Sequence, residues 1–360
     1  MDARSDRGII FVIGMLLLFG LVMAYSASAP FSLRHYGTSA HLFLKQLAAA
    51  ALGLALLFLL SRFDYHRLRG LSEVLLIGSF LLTVATLLPL PLVSDSRWIL
   101  LGPFALQPTE LVKFGLIAYL AVSIERKGGE RMESLSQGVL PFVIVLGIIA
   151  VVVMKQPDLG MILVFGALTA AMLFLGGARL SHLALLGAAT IPLVTLVIRI
   201  APYRLARIVS FLHPEAYSSS SGYQAIQSLV AVGSGGFLGR GLGASRAKLF
   251  YLPQAHSDFI FSVTAEELGL LGALLLIGLF AAFTWRAFAI ARRAPDELGR
   301  LLAWGIGFSI AFQAFLNLAV ALGLVPVTGL TLPFVSNGGS SLLITLAMVG
   351  VLLNIGRQGG

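Results

Sequence analysis

The sequence contains no cysteine among its 360 residues. This absence excludes disulfide bonds, a thiolate nucleophile and any metal site that needs cysteine, and it leaves the redox compartment undetermined. Charged residues are also scarce, at 11% of the chain, whereas a soluble domain of this length has roughly a quarter. Because so few charges cannot build a water-exposed surface, the composition predicts an integral membrane protein.

Long apolar windows account for most of the chain, which is 58% hydrophobic with a mean hydropathy of +0.94. A helix that crosses the hydrocarbon core needs about 20 apolar residues. The sequence therefore predicts an all-α integral membrane protein, a single domain over residues 1–360 with ten transmembrane helices. The predicted spans cover residues 8–26, 43–61, 71–90, 108–124, 138–154, 159–177, 182–201, 260–284, 301–322 and 341–356. Residues 202–259 form a long extracellular loop between spans 7 and 8.

The formal net charge of +9 has an explanation that does not require a nucleic acid. Lysine and arginine accumulate in the short cytoplasmic loops of membrane proteins. No basic stripe interleaved with aromatic residues is found outside the membrane, so we expect no nucleic-acid partner. With the amino terminus inside, most basic residues fall in cytoplasmic connections. We predict that both termini are cytoplasmic and that the long loop faces outward.

The main polar segment, residues 221–272, is where we expect the chemistry. Asp258 lies at the mouth of the eighth span, where a carboxylate can serve as a base or as a helix N-cap. Glu266 and Glu267 lie deeper in that span and must find partners or a wet cavity. The glycine-rich stretch 233–243 matches neither a P-loop nor a dinucleotide fingerprint. We predict a re-entrant or surface-lying loop there.

Charged residues near other predicted span ends form a second set of candidates. Glu110 and Lys113 are three residues apart, so they share a helix face and are predicted to pair, for stability or for catalysis. Arg204 and Arg207 also share a face if helical, and arginine binds phosphate in a fork; lipid headgroups are the alternative target. The outward connection that contains Ser336 offers hydroxyl and N–H donors to an anion.

The chain resembles the SEDS family of shape, elongation, division and sporulation proteins (FtsW, RodA and SpoVE) over nearly its whole length. The blocks that carry this resemblance are Arg97-Trp98-Ile99, QPTELVK (107–113), KQPDLG (155–160), GYQAIQS (222–228), GLGAS (241–245), LP with HSDFIF (252–261), EELG (266–269), TLPFVS (331–336) and GGSS (338–341). The blocks within 224–253 are more similar to the division branch, FtsW, than to RodA. Gln254, Ser257 and Asn337 depart from the family pattern, which usually has Glu, Thr and Tyr there.

The resemblance implies a peptidoglycan glycosyltransferase that polymerises lipid II, an undecaprenyl-diphosphate-linked disaccharide peptide, at the outer face of the bacterial cytoplasmic membrane during septal wall synthesis. It also implies a class B penicillin-binding protein (a transpeptidase) and other divisome membrane proteins as partners. Asp258 is the expected general base. The expected diphosphate-binding residues are Arg97, Lys113, Lys155, Arg204, Arg207, Arg240, Lys248 and Ser336. A divalent cation, Mg²⁺ or Mn²⁺, could assist the leaving group, but the spacing specifies no metal site.

Other functions stay open at this point. A flippase that carries lipid II across the membrane also suits charges at membrane depth and broken spans. An elongation-type polymerase, similar to RodA, is the alternative within the family. A scaffold that only recruits a transpeptidase is the non-enzymatic alternative.

Overall fold

The computed structural model describes residues 3–102, 104–156, 158–200, 202–217 and 222–359, with the side chains of 3–6, 191–194, 196–200 and 202–204 outside that description. This part of the chain is mostly helical. Its helices are α1 (Ala3–Tyr36), α2 (His41–Arg62), α3 (Leu68–Ala85), α4 (Pro108–Met132), α5 (Leu140–Lys155), α6 (Leu159–Leu175), α7 (Leu180–Ile200), α8 (Pro202–Leu212), α9 (Tyr223–Ser234), α10 (Ile260–Arg292), α11 (Glu297–Ala321) and α12 (Gly339–Gln358).

A helix lies at each of the ten predicted spans. In the described part of the chain, seven helices are long and apolar enough to cross a membrane, namely α1, α2, α3, α5, α10, α11 and α12. Of the other three, α6 has 17 residues and α4 has charged residues near both ends. The structure therefore confirms a multi-pass helical membrane protein, while the count of ten spans stays a prediction.

Some helix ends differ from those predicted. Helix α3 ends at Ala85, not at residue 90, because Pro89 and Pro91 follow and proline cannot continue a helix. Helix α1 runs ten residues beyond the predicted end of the first span and contains Pro30. At 1.5 Å per residue its 34 residues extend about 51 Å, which exceeds a hydrocarbon core of about 30 Å.

A small antiparallel sheet precedes α4, and the all-α prediction missed it. Its strands are β1 (Val93–Ser94), β2 (Trp98–Leu101) and β3 (Phe104–Leu106), in the order β1-β2-β3. Leu100 pairs with Ala105 across the β2–β3 hairpin, and Gly102 adopts φ +62°. Strands of two to four residues carry too little alternating pattern to be recognised in a sequence.

The bundle is built around three closely packed helix pairs: α2 and α12 run parallel, whereas α3 with α4 and α10 with α11 run antiparallel. Gly350 allows the close contact in the first pair, since a Cβ there would lie 2.7 Å from the carbonyl oxygen of Leu57. Side chains of α1, α4, α6, α10, α11 and α12 form one continuous apolar core. Helices α10 and α11 contact the long connection between α7 and α10 through α9.

That connection is not a simple loop, because it contains α8 and α9. After α9 the glycine-rich segment packs against a break in α10 at Gly269, where φ is +67°. The N–H of Arg240 donates to the carbonyl oxygen of Glu266 (3.0 Å), and the N–H of Leu270 donates to that of Gly236 (2.9 Å). The segment therefore satisfies backbone groups that the break leaves unpaired.

Candidate active site

Asp258 lies in the turn that leads into α10. Its N–H donates to the carbonyl oxygen of Gln254 (3.1 Å), and its own carbonyl oxygen accepts from Asn317 Nδ2 of α11 (2.8 Å). The N-cap of α10 is Phe259, with no side-chain capping bond. The alternative that Asp258 is the N-cap of α10 is therefore wrong, and its carboxylate does not accept a hydrogen bond from the first turn of the helix.

The connection between α11 and α12 packs beside this turn. Asn317 Nδ2 also donates to the carbonyl oxygen of Leu330 (2.7 Å), so a single amide holds both segments. Gly329 has φ +78°, and a Cβ there would lie 3.7 Å from Asp258 Oδ2. The absence of a side chain at residue 329 keeps space open next to the carboxylate.

Ser336 joins the same two segments. Its Oγ donates to the carbonyl oxygen of Ser257 (2.5 Å) and accepts from the N–H of Leu332 (2.8 Å). The N–H of Asn337 donates to the carbonyl oxygen of His256 (3.0 Å). The hydroxyl that was expected to bind diphosphate is therefore engaged in fixing the backbone around Asp258.

The surroundings of Asp258 disfavour its charge. The side chain is partly buried, and this burial raises the pKa of its carboxyl, although a hydrogen bond from Ser257 and the charges of Arg207 and Arg97 oppose the rise. A carboxylate with a raised pKa beside cations is a common feature of catalytic sites. A raised pKa makes the ionised form of a carboxylate a stronger base than an exposed aspartate.

The two arginines whose charges act on this carboxylate lie on separate segments. Arg97, just before β2, donates from Nε to the carbonyl oxygen of Gln156 (2.5 Å). Arg207 on α8 donates from Nη1 to the carbonyl oxygen of Val327 (3.3 Å). The side chain of Arg204, the third arginine predicted here, lies outside the described residues.

A second carboxylate, Asp158, belongs to this site and was not among the predicted site residues. It caps α6, where Oδ1 accepts from the N–H of Met161 (3.1 Å), and its Oδ2 accepts from Gln107 Nε2 (3.2 Å). Burial raises its pKa to about 6; the charges of Glu110 and Asp258 act in the same direction, and Arg97 opposes them. Its position in the KQPDLG block (155–160) was the available signal, but Lys155 is the only residue of that block predicted to belong to the site.

Glu110 and Lys113 pair inside the bundle, with 2.5 Å between Oε2 and Nζ. Lys113 Nζ also donates to Gln313 Oε1 of α11 (2.7 Å), and Lys113 has no exposed surface. This ammonium is sealed among protein groups, away from any phosphate at the surface. Gln313 and Asn317 were missed, although two amides four residues apart in an apolar span are a recognisable signal.

Arg240 and Lys248 neutralise the two acidic residues of α10. Lys248 Nζ lies 2.6 Å from Glu267 Oε1 and 2.9 Å from Ser26 Oγ of α1. Arg240 Nη1 lies 3.4 Å from Glu266 Oε1. These two predicted phosphate ligands therefore stabilise the connection against α1 and α10. Lys155, at the end of α5, is exposed.

A cavity of about 510 Å³ opens between α2, the β2–β3 hairpin and the start of α12. Trp98, Lys45 and Gln46 line it, together with apolar side chains. Gln46 Nε2 donates to the carbonyl oxygen of Ser336 (3.0 Å), which connects the cavity wall to the Asp258 turn. Asp258 itself does not line the cavity. The volume is typical of a pocket for a small organic group.

The described residues contain no group of three or more His, Asp or Glu side chains that could hold a metal ion. A hard cation such as Mg²⁺ is usually bound by one or two carboxylates together with substrate phosphates. Asp158 and Asp258 are the carboxylates of this site that fit such a role.

A protein-family model described as "Cell cycle protein", FTSW_RODA_SPOVE, matches residues 7–359. A probable peptidoglycan glycosyltransferase FtsW from Trichlorobacter lovleyi is 44% identical and aligns with 98% of this chain and 93% of its own. Stage V sporulation protein E of Bacillus subtilis is 40% identical, with 98% and 97% covered.

Solved structures agree with the sequence comparisons. A chain from a peptidoglycan synthase complex, in a study of how polymerization and crosslinking are coordinated, has a TM-score of 0.80 at 32% identity and covers 97% of both chains. The rod shape determining protein RodA of Thermus thermophilus has a TM-score of 0.68 at 31% identity, with 97% of this chain and 96% of that chain covered.

Proposed function

Because this chain belongs to the family of cell cycle proteins that contains FtsW, RodA and SpoVE, we infer that it is a membrane-embedded peptidoglycan glycosyltransferase of the division type. It polymerises lipid II. Its relatives in Trichlorobacter lovleyi and Geobacter sulfurreducens are named probable peptidoglycan glycosyltransferases. The division assignment follows the FtsW relatives, which are 36–44% identical over nearly the whole chain.

Asp258 is the general base in this proposal. The supporting observation is its partly buried carboxylate, which feels the charges of two arginines and does not cap α10. A sugar hydroxyl is a weak nucleophile, and a positioned base typically contributes about 10²–10⁴-fold to the rate. Gly329, beside Oδ2, leaves room for that hydroxyl.

The reaction joins two lipid-linked saccharides. The acceptor hydroxyl transfers its proton to the Asp258 carboxylate while its oxygen forms a bond to the anomeric carbon of the donor. The bond from that carbon to the diphosphate oxygen breaks, and polyprenyl diphosphate leaves with the electron pair. Arg97 and Arg207 stabilise the negative charge that develops on the leaving group.

The other predicted phosphate ligands have different roles in this proposal. Lys113, Arg240 and Lys248 hold helices and connections together through Glu110, Glu266 and Glu267. Ser336 positions the turn that carries the base. Mg²⁺ or Mn²⁺ would supply Lewis-acid stabilisation of the diphosphate, with Asp158 as the candidate protein ligand while Asp258 acts as the base.

The partner and the orientation follow from the same assignment. A structurally similar chain acts in a complex that both polymerises and crosslinks, so we propose a crosslinking transpeptidase, a class B penicillin-binding protein, as the partner, along with other divisome membrane proteins. The protein is multi-pass in the bacterial cytoplasmic membrane, with ten spans, both termini in the cytoplasm and Asp258 at the outer face.

Polymerisation of fluorescent lipid II in detergent, with the transpeptidase present, tests the function. We expect long glycan strands from the wild type. A flippase would instead make no strands and would move lipid II between the leaflets of a vesicle. The assignment would be contradicted if glycan strands formed equally well without this protein, or if the protein moved lipid II between leaflets and made no strands.

A further inference from the structure

An apolar cleft of about 400 Å³ lies between α3, α4 and α5, at the end of the bundle that carries both termini. Phe80, Tyr119, Ile148 and Ile149 are among its lining residues. Ile148 is half exposed, so the cleft opens on the face that meets lipid. It shares none of its lining residues with the Asp258 site.

Charged side chains stand at one mouth of this cleft. Glu73 lines it, and Arg126 of α4 lies 3.0 Å from the Glu73 carboxylate. Lys127 lies over the ring of Phe142 at 4.7 Å, and that ring packs edge-on against Tyr119. One acidic and two basic groups therefore adjoin a single apolar channel.

The dimensions fit part of a lipid chain. Glu73 and Phe80 lie seven residues apart on α3, which separates them by about 10 Å along the helix axis. One leaflet of the hydrocarbon core is about 15 Å deep. The cleft therefore runs from the headgroup level into the interior of one leaflet.

The charges of Glu73 and Arg126 indicate which lipid headgroup would bind at the mouth of the cleft. Arg126 uses some of its five N–H donors on Glu73 and on the carbonyl oxygen of Arg69 (2.7 Å), and the remaining donors suit a phosphate oxygen. The Glu73 carboxylate can accept hydrogen bonds from a primary ammonium, whereas a quaternary ammonium offers none. A glycerol headgroup carries no positive charge for Glu73.

We propose that this cleft binds one acyl chain of a phosphatidylethanolamine molecule, with the lipid ammonium on Glu73 and its phosphate on Arg126 and Lys127. The site is a structural lipid site, separate from the polymerisation chemistry. The proposal does not depend on the proposed function.

Native mass spectrometry of the purified protein tests the site after exchange into equimolar phosphatidylethanolamine, phosphatidylglycerol and phosphatidylcholine. The wild type should retain phosphatidylethanolamine in preference to the other two. Glu73→Gln should lower this preference about two- to five-fold, the value of a partly exposed ion pair. Glu133→Gln is the matched control, because Glu133 pairs with Arg179 at 2.8 Å outside the cleft.

A second pair of variants tests the channel itself. Ile148→Trp fills the cleft and should abolish retention, whereas Ile144→Trp, at an equally exposed position of α5 outside the cleft, should not. Both variants should keep the wild-type unfolding midpoint in detergent, which reports correct folding. Equal retention by the two tryptophan variants, or no headgroup preference in the wild type, would overturn the proposal.

Discussion

The aspartates at the two ends of the helix bundle differ in how many hydrogen bonds their carboxylates accept. At the end with both termini, Asp296 accepts hydrogen bonds from the N–H of Gly299, Tyr65 Oη and His66 Nε2, all within 2.9 Å. At the other end, Asp258 keeps a side-chain hydrogen bond from Ser257 and distant attraction to two arginines. One carboxylate is satisfied by its neighbours, and the other is not.

The pKa shifts express the same difference. Hydrogen bonds from His66 lower the pKa of Asp64 to about 2. Burial alone would raise the pKa of Asp296, but the donors around it hold the value below normal. Burial raises the pKa of Asp158 to about 6 and also raises that of Asp258. The first end therefore stabilises its carboxylates in the charged form, whereas the second holds carboxylates with raised pKa values, which are common in catalytic sites.

Between the ends, removing Glu110 should have the largest effect on folding. Glu110→Ala leaves the Lys113 ammonium buried with only Gln313 as a polar partner. Breaking a buried ion pair in this way typically costs about 3–5 kcal/mol. Thermal unfolding in detergent should show a large loss. Glu133→Ala, which breaks an exposed pair, is the control and should cost at most about 1 kcal/mol; equal losses would refute the difference.

Neutralising Asp158 should stabilise the protein above neutral pH. Its folded pKa of about 6 exceeds the ordinary 3.8, so the stability of the folded state falls as pH rises from about 4 to 6. An asparagine side chain at this position cannot ionise and can still cap α6, so Asp158→Asn should gain about 1–3 kcal/mol at pH 8. The gain should vanish at pH 4. A variant that is less stable at pH 8 would contradict the assigned environment.

Replacing Asp64 by asparagine should have the smallest effect on stability, and it should be destabilising, unlike Asp158→Asn. Its folded pKa of about 2 lies below the ordinary 3.8, so its contribution is complete above about pH 4 and is lost as pH falls toward 2. Because the side chain is half exposed, solvent screening limits the effect to below about 1 kcal/mol. Asp64→Asn should lower the unfolding midpoint at pH 7 slightly. An increase at pH 7 would contradict the proposed role of His66.

The sequence predicted the helices well because lipid imposes a simple rule on length and apolarity. It also predicted that Glu110 and Lys113 share a helix face, since that depends only on spacing. Contacts between distant segments were beyond reach. Glu267 meets Ser26, 241 residues away, and Asp158 interacts with Asp258 across 100 residues. One sequence does not specify which loops meet at the end of a bundle.

For the same reason, the sequence alone could not show which of the basic residues pair with acidic groups of the protein. Lys248 and Arg240 look available in the sequence, but they meet Glu267 and Glu266 in the structure. Only Arg97 and Arg207 interact with Asp258 among the predicted cations whose side chains are described. The sequence indicates which types of residue could form a site, but the structure is needed to show which of them lie near Asp258.

The central claim is that Asp258 performs chemistry whereas Asp296 maintains the fold. Strand synthesis and thermal unfolding, measured on purified Asp258→Asn and Asp296→Asn, test it most directly. We predict that Asp258→Asn lowers polymerisation by about 10²–10⁴-fold without lowering the unfolding midpoint. Asp296→Asn should lower the midpoint and keep the activity of each folded molecule. Polymerisation by Asp258→Asn at the wild-type rate would contradict the account.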